Sequence, residues 1–330
     1  MRKVLVLQTA FIGDVILATA LVEQLCITFP EARIDFLLRK GNEGLLKDHP
    51  HISHTLVWDK SRGKYAQLFR LLRQIRSERY DLVVNLQRFL ATGLLTAFSG
   101  AKNRVGFDKN PLSAFFSHRF SHEIGATKEQ VHEVSRNLSL IAPWVEEALG
   151  KPRLYPRPED RATVPSEEDY VCLAPTSVWF TKQWPPDRWV ALIDRIPSSL
   201  AVYLLGGPSD REACARIQNA TSHPKVINKA GELSFLASAA WMAGARMNYV
   251  NDSAPLHMAS AMNAPVLAVF CSTIPAFGFG PLSDRYWIVE TDHSLPCRPC
   301  GLHGKKICPE GHFRCADIAV EKMLRPLQAV

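Results

Sequence analysis

The run Val4-Leu5-Val6-Leu7 is short, wholly apolar and followed at once by Gln8 and Thr9, and that combination limits what the chain can become. A continuous apolar run of this length is the pattern of a central strand covered on both faces, as in a parallel sheet. Gly13 permits a tight turn, and Ile16, Ala20 and Leu21 continue with helical spacing toward Phe29. Asp14 therefore stands in the first strand-to-helix connection. In open α/β sheets ligands bind outside the carboxyl ends of the strands, so an acid placed there faces the ligand crevice. The same position also suits a plain helix cap, and position alone does not choose between the two roles.

The alternation continues through the first half, with strands expected over 3–8, 34–38, 54–58 and 82–86 and helices over 15–29, 65–79 and 92–98. Between 151 and 165 it breaks at Pro152, Pro156, Pro158 and Pro165, the composition of a linker. It then restarts, with strands over 170–174, 201–205, 247–250 and 265–270 and helices over 187–196, 208–219, 235–243 and 253–262. A chain of 330 residues suits two domains of about 150 residues each. The expected class is α/β: two Rossmann-like, doubly wound domains, 1–155 and 156–330, facing each other across a cleft. The final helix is a candidate to pack back on the amino-terminal domain.

Composition removes several classes of function. With 47% apolar and 22% charged residues, the chain reads as a soluble globular protein. Arg2 and Lys3 ahead of an apolar stretch imitate a signal peptide, but Gln8, Gly13 and Asp14 interrupt that stretch and no small-residue cleavage site follows. No run of about 18 apolar residues occurs, so the expectation is a cytoplasmic protein whose membrane contact is peripheral. The net charge of +7 favours an anionic partner without naming it. The first turn lacks the glycine-rich dinucleotide fingerprint, which argues against a nicotinamide dehydrogenase.

Three loops at strand ends in the second half carry groups suited to a nucleotide diphosphate. Thr176 and Ser177 supply hydroxyls and Lys182 an ammonium, although such a loop can also be merely solvated. Gly206 and Gly207 would let backbone approach a ligand closely, or simply make a turn. In Asn251-Asp252-Ser253-Ala254-Pro255-Leu256-His257, Asp252 or Ser253 can cap a helix whose first turn holds Pro255. A helix start of this kind is a ready anion site, and His257 lies one turn further on, as a phosphate neighbour or as a core histidine.

Taken in order, Gly13-Asp14-Val15, Thr176-Ser177 with Lys182-Gln183-Trp184-Pro185, and Asn251 to His257 resemble glycosyltransferase family 9, the lipopolysaccharide heptosyltransferases. The resemblance spans nearly the whole chain. It implies a GT-B fold with an acceptor-binding first domain and a second domain that binds ADP-heptose. It also implies inverting transfer to an anionic lipid A inner-core acceptor, with no cofactor needed for catalysis and no nucleic acid involved. Residue by residue, Asp14 matches the general base and Lys182 the phosphate-binding lysine. Thr176 and Ser177 match the diphosphate hydroxyls, and Asp252, Ser253, Ala254 and His257 the donor loop, where Ala254 and Pro255 replace a frequent glycine. Another nucleotide-sugar transferase or epimerase, and an inactive binding protein, are the alternatives. The retention of both Asp14 and Lys182 counts against the last.

The chemistry suits these residue types independently. A hydroxyl attacking an anomeric carbon loses its proton late, which a positioned carboxylate can accept. The departing diphosphate gains charge, which an ammonium and a helix start can stabilise. Acceptor groups are sought in the basic segment holding Lys60, Arg62, Lys64, Arg70, Arg73, Arg76 and Arg79, and at Arg104, although a charge run is also what a solvated helix face looks like. Cys297, Cys300, Cys308 and Cys315 cluster near the end of the chain, with spacing that allows a structural zinc or iron site, free thiols or disulfides.

Overall fold

The computed structural model describes residues 1–61, 63–124, 131–145, 150–166 and 169–329. Their strands form two six-stranded sheets, one in each of two units, Met1–Tyr155 and Pro156–Val330. The first unit contains β1 (Lys3–Leu7), β2 (Arg33–Arg39), β3 (His54–Trp58), β4 (Leu82–Asn85), β5 (Asn103–Phe107) and β6 (His118–Phe120), in the order β3-β2-β1-β4-β5-β6. The second contains β7 (Tyr170–Ala174), β8 (Ala201–Leu204), β9 (Val226–Asn228), β10 (Met247–Asn251), β11 (Val266–Phe270) and β12 (Tyr286–Glu290), in the order β12-β11-β10-β7-β8-β9. Counted from each unit's own first strand the two orders are the same, and every pairing is parallel.

Parallel neighbours need crossovers. In the first unit these use α1 (Ile12–Thr28), α2 (Lys64–Glu78) and α3 (Leu90–Ala97), and α4 (Glu133–Ser139) follows the last strand. In the second unit α5 (Pro158–Arg161) precedes the first strand. Its crossovers use α6 (Pro186–Ile193), α7 (Arg211–Ala220), α8 (Phe235–Gly244) and α9 (Ala254–Ala261), and α10 (Val320–Leu324) comes after β12. Among the described residues, no helix is long and apolar enough to cross a membrane.

Burial follows the sequence pattern. Val4 to Leu7 and Leu82 to Val84 have no exposed surface, as two-sided cover requires. Helix α1 is buried without a break from Val15 to Val22. Helix α2 is one-sided: Leu68, Leu71 and Ile75 enter the core while Arg70, Arg73, Arg76 and Arg79 stay exposed. The core of the second unit gathers Trp184 and Trp189 with Leu173 and Val202, and Val320, Met323 and Leu327 join it. Helix α10 thus belongs to the core of its own unit.

One buried charge is built into the first sheet. Asp35 on β2 has no exposed surface and accepts hydrogen bonds from Arg33 Nη2 at 2.7 Å, Arg33 Nε at 3.0 Å and the Tyr80 hydroxyl at 2.6 Å. Burial and the Asp35 carboxylate together push the Tyr80 hydroxyl well above the ordinary tyrosine range, so it remains a donor at any pH the fold survives. Removing that donor by Tyr80→Phe leaves a buried carboxylate one partner short. The expected loss is about 1.5–3 kcal/mol of unfolding free energy, measured by urea denaturation; a loss below about 0.5 kcal/mol would mean that Arg33, with the His54 ring 3.4 Å from Oδ1, satisfies Asp35 without it.

Candidate functional site

In each sheet the chain order reverses beside the first strand, between β1 and β4 and between β7 and β10. These are the topological switch points, where connections diverge and leave room for a ligand at the carboxyl ends of the strands. The connections that leave them carry the groups singled out in the sequence.

In the second unit, Asn251 ends β10 with its side chain fully buried. Its Oδ1 accepts the Trp184 N–H at 3.0 Å, and its Nδ2 donates to the Pro175 carbonyl at 2.9 Å. One carboxamide thereby pins both ends of the connection from β7 to α6 onto β10. Within that connection Phe180–Lys182 makes a single tight turn, and Lys182 Nζ meets Asp252 Oδ2 at 2.7 Å. Both side chains are largely shielded, 14% and 6% exposed, so the pair is screened little by solvent. The Thr273 hydroxyl donates to the same carboxylate oxygen at 2.6 Å. Thr176 and Ser177 are half-buried, and Gln183 Nε2 donates to the Ser177 carbonyl at 2.6 Å.

Ser253 is the residue before α9 and is extended, but its side chain makes no capping bond. Pro255 lies in the first turn, where its missing N–H costs nothing. The amino end of α9, at Ala254, thus adjoins Asp252 in the chain and adds the positive end of a helix dipole. His257 is buried one turn in. Gly206 and Gly207 have a local structural use. The Gly207 N–H donates to Asp210 Oδ2 at 2.7 Å, and a Cβ at Gly206 would lie 2.8 Å from Asp210 Cβ.

In the first unit Asp14 is the third residue of α1, and the Phe11 N–H donates to its Oδ2 at 3.1 Å. It is therefore a cap. It is also electrostatically unusual, because burial, reinforced by the Glu133 carboxylate of α4, raises its pKa from 3.8 to about 6. Glu133 behaves in the opposite way. Burial would raise it as well, but the His122 ring and the Arg136 guanidinium, at 3.5 Å and 2.7 Å from its Oε2, outweigh that and hold it below the ordinary glutamate range. Sequence reasoning missed Glu133, and an acid three residues before an arginine was the only available sign of it.

The acceptor-side candidates divide. Arg62 lies outside the described residues, and Lys64 opens α2. Arg104 sits on β5 in register with Val83 and, through it, with Leu5, short of the strand ends. Its guanidinium donates to the carbonyls of Ala101 at 3.0 Å and Phe115 at 3.2 Å. Lys60, by contrast, reaches that connection: Nζ donates to the Thr9 carbonyl at 2.9 Å.

The four clustered cysteines lie in the stretch after β12. All are free thiols, and among the described residues no three His, Cys, Asp or Glu side chains come together as ligands. Cys315 is packed into the core of the second unit, and the Cys300 thiol donates to the Cys297 carbonyl at 3.3 Å. Cys300, Cys308 and Cys315 nonetheless lie close enough to act on one another: Cys297 and Cys308 add to the burial that raises the Cys300 thiol, and Cys300 and Cys308 do the same for Cys315.

Comparison with known proteins agrees with this arrangement. The sequence profile of Glycosyltransferase family 9 (heptosyltransferase) matches residues 68–307. Lipopolysaccharide heptosyltransferase 3 of Escherichia coli is 30% identical over 281 residues, covering 80% of this chain and 82% of the relative. The structure of E. coli ADP-heptose lps heptosyltransferase II superimposes with a TM-score of 0.80 at 22% identity, covering 99% of this chain and 98% of that one. E. coli heptosyltransferase WaaC with ADP-2-deoxy-2-fluoro heptose gives 0.74 at 17% identity, with 99% of both chains covered. The two doubly wound units are those of a GT-B glycosyltransferase, and the chain belongs to glycosyltransferase family 9.

Proposed function

We propose that this glycosyltransferase transfers heptose from ADP-heptose, with inversion, to an anionic lipopolysaccharide inner-core acceptor at the cytoplasmic face of the inner membrane, which it contacts peripherally. The observation that carries the reading is the second unit's switch point, where the half-buried Thr176 and Ser177 and the amino end of α9 adjoin the Lys182–Asp252 pair. A diphosphate is the ligand whose charge and oxygen count suit that set. The donor sugar and the lipopolysaccharide acceptor follow the names of the relatives.

In the reaction an acceptor hydroxyl oxygen forms a bond to the anomeric carbon from the face opposite the diphosphate. The bond from that carbon to the β-phosphate oxygen breaks, and ADP leaves with the electron pair. The hydroxyl proton passes to Asp14. A carboxylate of raised pKa is a stronger base than an exposed one, and at neutral pH it is still ionised. Lys182 meets charge that is present in the donor and grows as the bond breaks, so it serves both binding and turnover. The exposed arginines of α2 suit the phosphates of a lipid surface, where each basic residue is worth about 1 kcal/mol.

In a thermal-shift panel of ADP, UDP, GDP and dTDP and their sugars, ADP compounds should stabilise selectively; a preference for UDP would remove the ADP-heptose assignment. Asp14 must be ionised to act, so kcat/KM should rise with pH through about 6 and level off above it. Asp14→Asn should cut turnover by about 100-fold or more while donor affinity stays within a few-fold. Near-normal turnover in Asp14→Asn would take Asp14 out of the mechanism. Stability runs the other way: the folded state holds this proton more tightly than the unfolded chain, so the contribution of Asp14 is full below 3.8 and is lost as pH rises through about 6. Lys182→Ala should weaken ADP by about 10-fold or more, the weight of a charge-assisted contact, and leave adenosine unaffected. Unchanged ADP affinity by calorimetry would make Lys182 an ordinary lysine.

A further inference from the structure

The cysteine-rich loop that follows β12 is fastened to the turn that carries Lys182. Thr181, with no exposed surface, is the point of attachment. Its N–H donates to the Lys305 carbonyl at 3.1 Å, and its Oγ1 accepts the Lys305 N–H at 2.8 Å and the Ser272 hydroxyl at 2.9 Å. The loop is itself anchored at the end of β11. Arg298 donates to the carbonyls of Cys271 at 2.6 Å and Thr273 at 2.7 Å, and the Cys300 N–H donates to the Ser272 carbonyl at 2.8 Å. The rings of Phe180 and Phe313 pack with centroids 5.0 Å apart. Gly304 has φ +75°, and a Cβ there would stand 3.0 Å from Lys182 Cγ, 3.2 Å from Thr181 Oγ1 and 3.3 Å from Trp179 Cβ.

The loop thus controls both partners of the ion pair. Through Thr181 and Gly304 it fixes the backbone and stem of Lys182, and through Arg298 and Cys300 it fixes Ser272–Thr273, whose Thr273 hydroxyl holds Asp252. We infer that Thr181 is a positioning residue, which uses the cysteine-rich loop as a brace to hold the Lys182 ammonium where it meets the donor diphosphate. The inference rests on the diphosphate role of Lys182. It gives the loop a mechanical purpose that requires neither metal nor disulfide.

Thr181→Val keeps the shape of the side chain and removes the acceptor for the buried Ser272 hydroxyl and the Lys305 N–H, whereas Thr181→Ser retains it. Gly304→Ala keeps the threonine but crowds the Lys182 stem and the Thr181 hydroxyl from a left-handed backbone position. Calorimetric titration with ADP and with adenosine reads the phosphate contribution separately from the nucleoside. Thr181→Val and Gly304→Ala should each weaken ADP by about 10-fold, the weight of one misplaced charged contact, with adenosine within about two-fold of wild type. Thr181→Ser should restore ADP to within about three-fold, and Thr181→Val combined with Lys182→Ala should be no worse than Lys182→Ala alone. If Lys182→Ala weakens ADP but both Thr181→Val and Gly304→Ala bind it normally, the brace is refuted and the diphosphate role of Lys182 stands. If Lys182→Ala itself binds ADP normally, both fall. Equal loss of ADP and adenosine in Thr181→Val and Gly304→Ala would reduce Thr181 to general packing and also overturn the proposal.

Discussion

The hydrogen bonds of the Asn251 side chain govern the geometry of the second unit. A buried carboxamide has to find partners, because leaving one of its groups unmade costs about 1–3 kcal/mol. Here the partners are backbone groups at the two ends of one connection, the Pro175 carbonyl and the Trp184 N–H. The connection cannot drift from β10 without losing both bonds. The next residue in the chain, Asp252, then receives Lys182. Two neighbouring side chains at one strand end thus do separate work: the first fixes where the loop runs, and the second fixes where its charge points.

The first unit reaches an unusual electrostatic state by contrast rather than by anchoring. Asp14 and Glu133 are neighbouring acids on packed helices, and burial acts on both. Glu133 has the Arg136 guanidinium and the His122 ring within 3.5 Å, and its carboxyl stays below the ordinary glutamate range. Asp14 has only backbone N–H groups and the more distant Arg39 on its side, and it also feels the charge that Glu133 retains. Environments that push two carboxylates in opposite directions are how one fold obtains both a fixed charge and a titratable base.

Much of the fold was legible because central strands announce themselves. The runs over 4–7, 82–84, 171–174 and 266–270 are apolar without interruption, and each is a buried strand. Strands β5, β6, β9 and β12 went unread. At 103–107, 118–120 and 226–228 polar residues leave no apolar run of strand length, and at 286–290 the apolar run Tyr286–Val289 is largely exposed because β12 is an edge strand; pairing with a neighbour makes them strands. The family was legible because its motifs sit at strand ends in a fixed order. The contacts inside the site were not. Lys182 and Asp252 lie seventy positions apart, and nothing local marks them as partners. Thr181 was overlooked beside a lysine for the same reason: its importance lies in a loop more than a hundred residues downstream. The cysteines were legible as a cluster, since Cys315, though buried in the core, lies close enough to Cys300 and Cys308 for their charges to act on it, but the sequence does not say what that cluster holds.

If the donor binds as proposed, the Lys182–Asp252 pair would also decide what kind of anion can enter. A site that carries its own counter-ion has a local charge close to balanced, so it exerts little pull on passing chloride or bicarbonate. A small anion that approaches the ammonium meets a carboxylate already held there by the Thr273 hydroxyl, and it gains little by competing. A diphosphate brings more charge and more oxygens, and can use the ammonium and the helix start together. On the proposed donor role, the internal ion pair would thus act as a threshold on ligand charge that favours a diphosphate over the abundant monovalent salts around it.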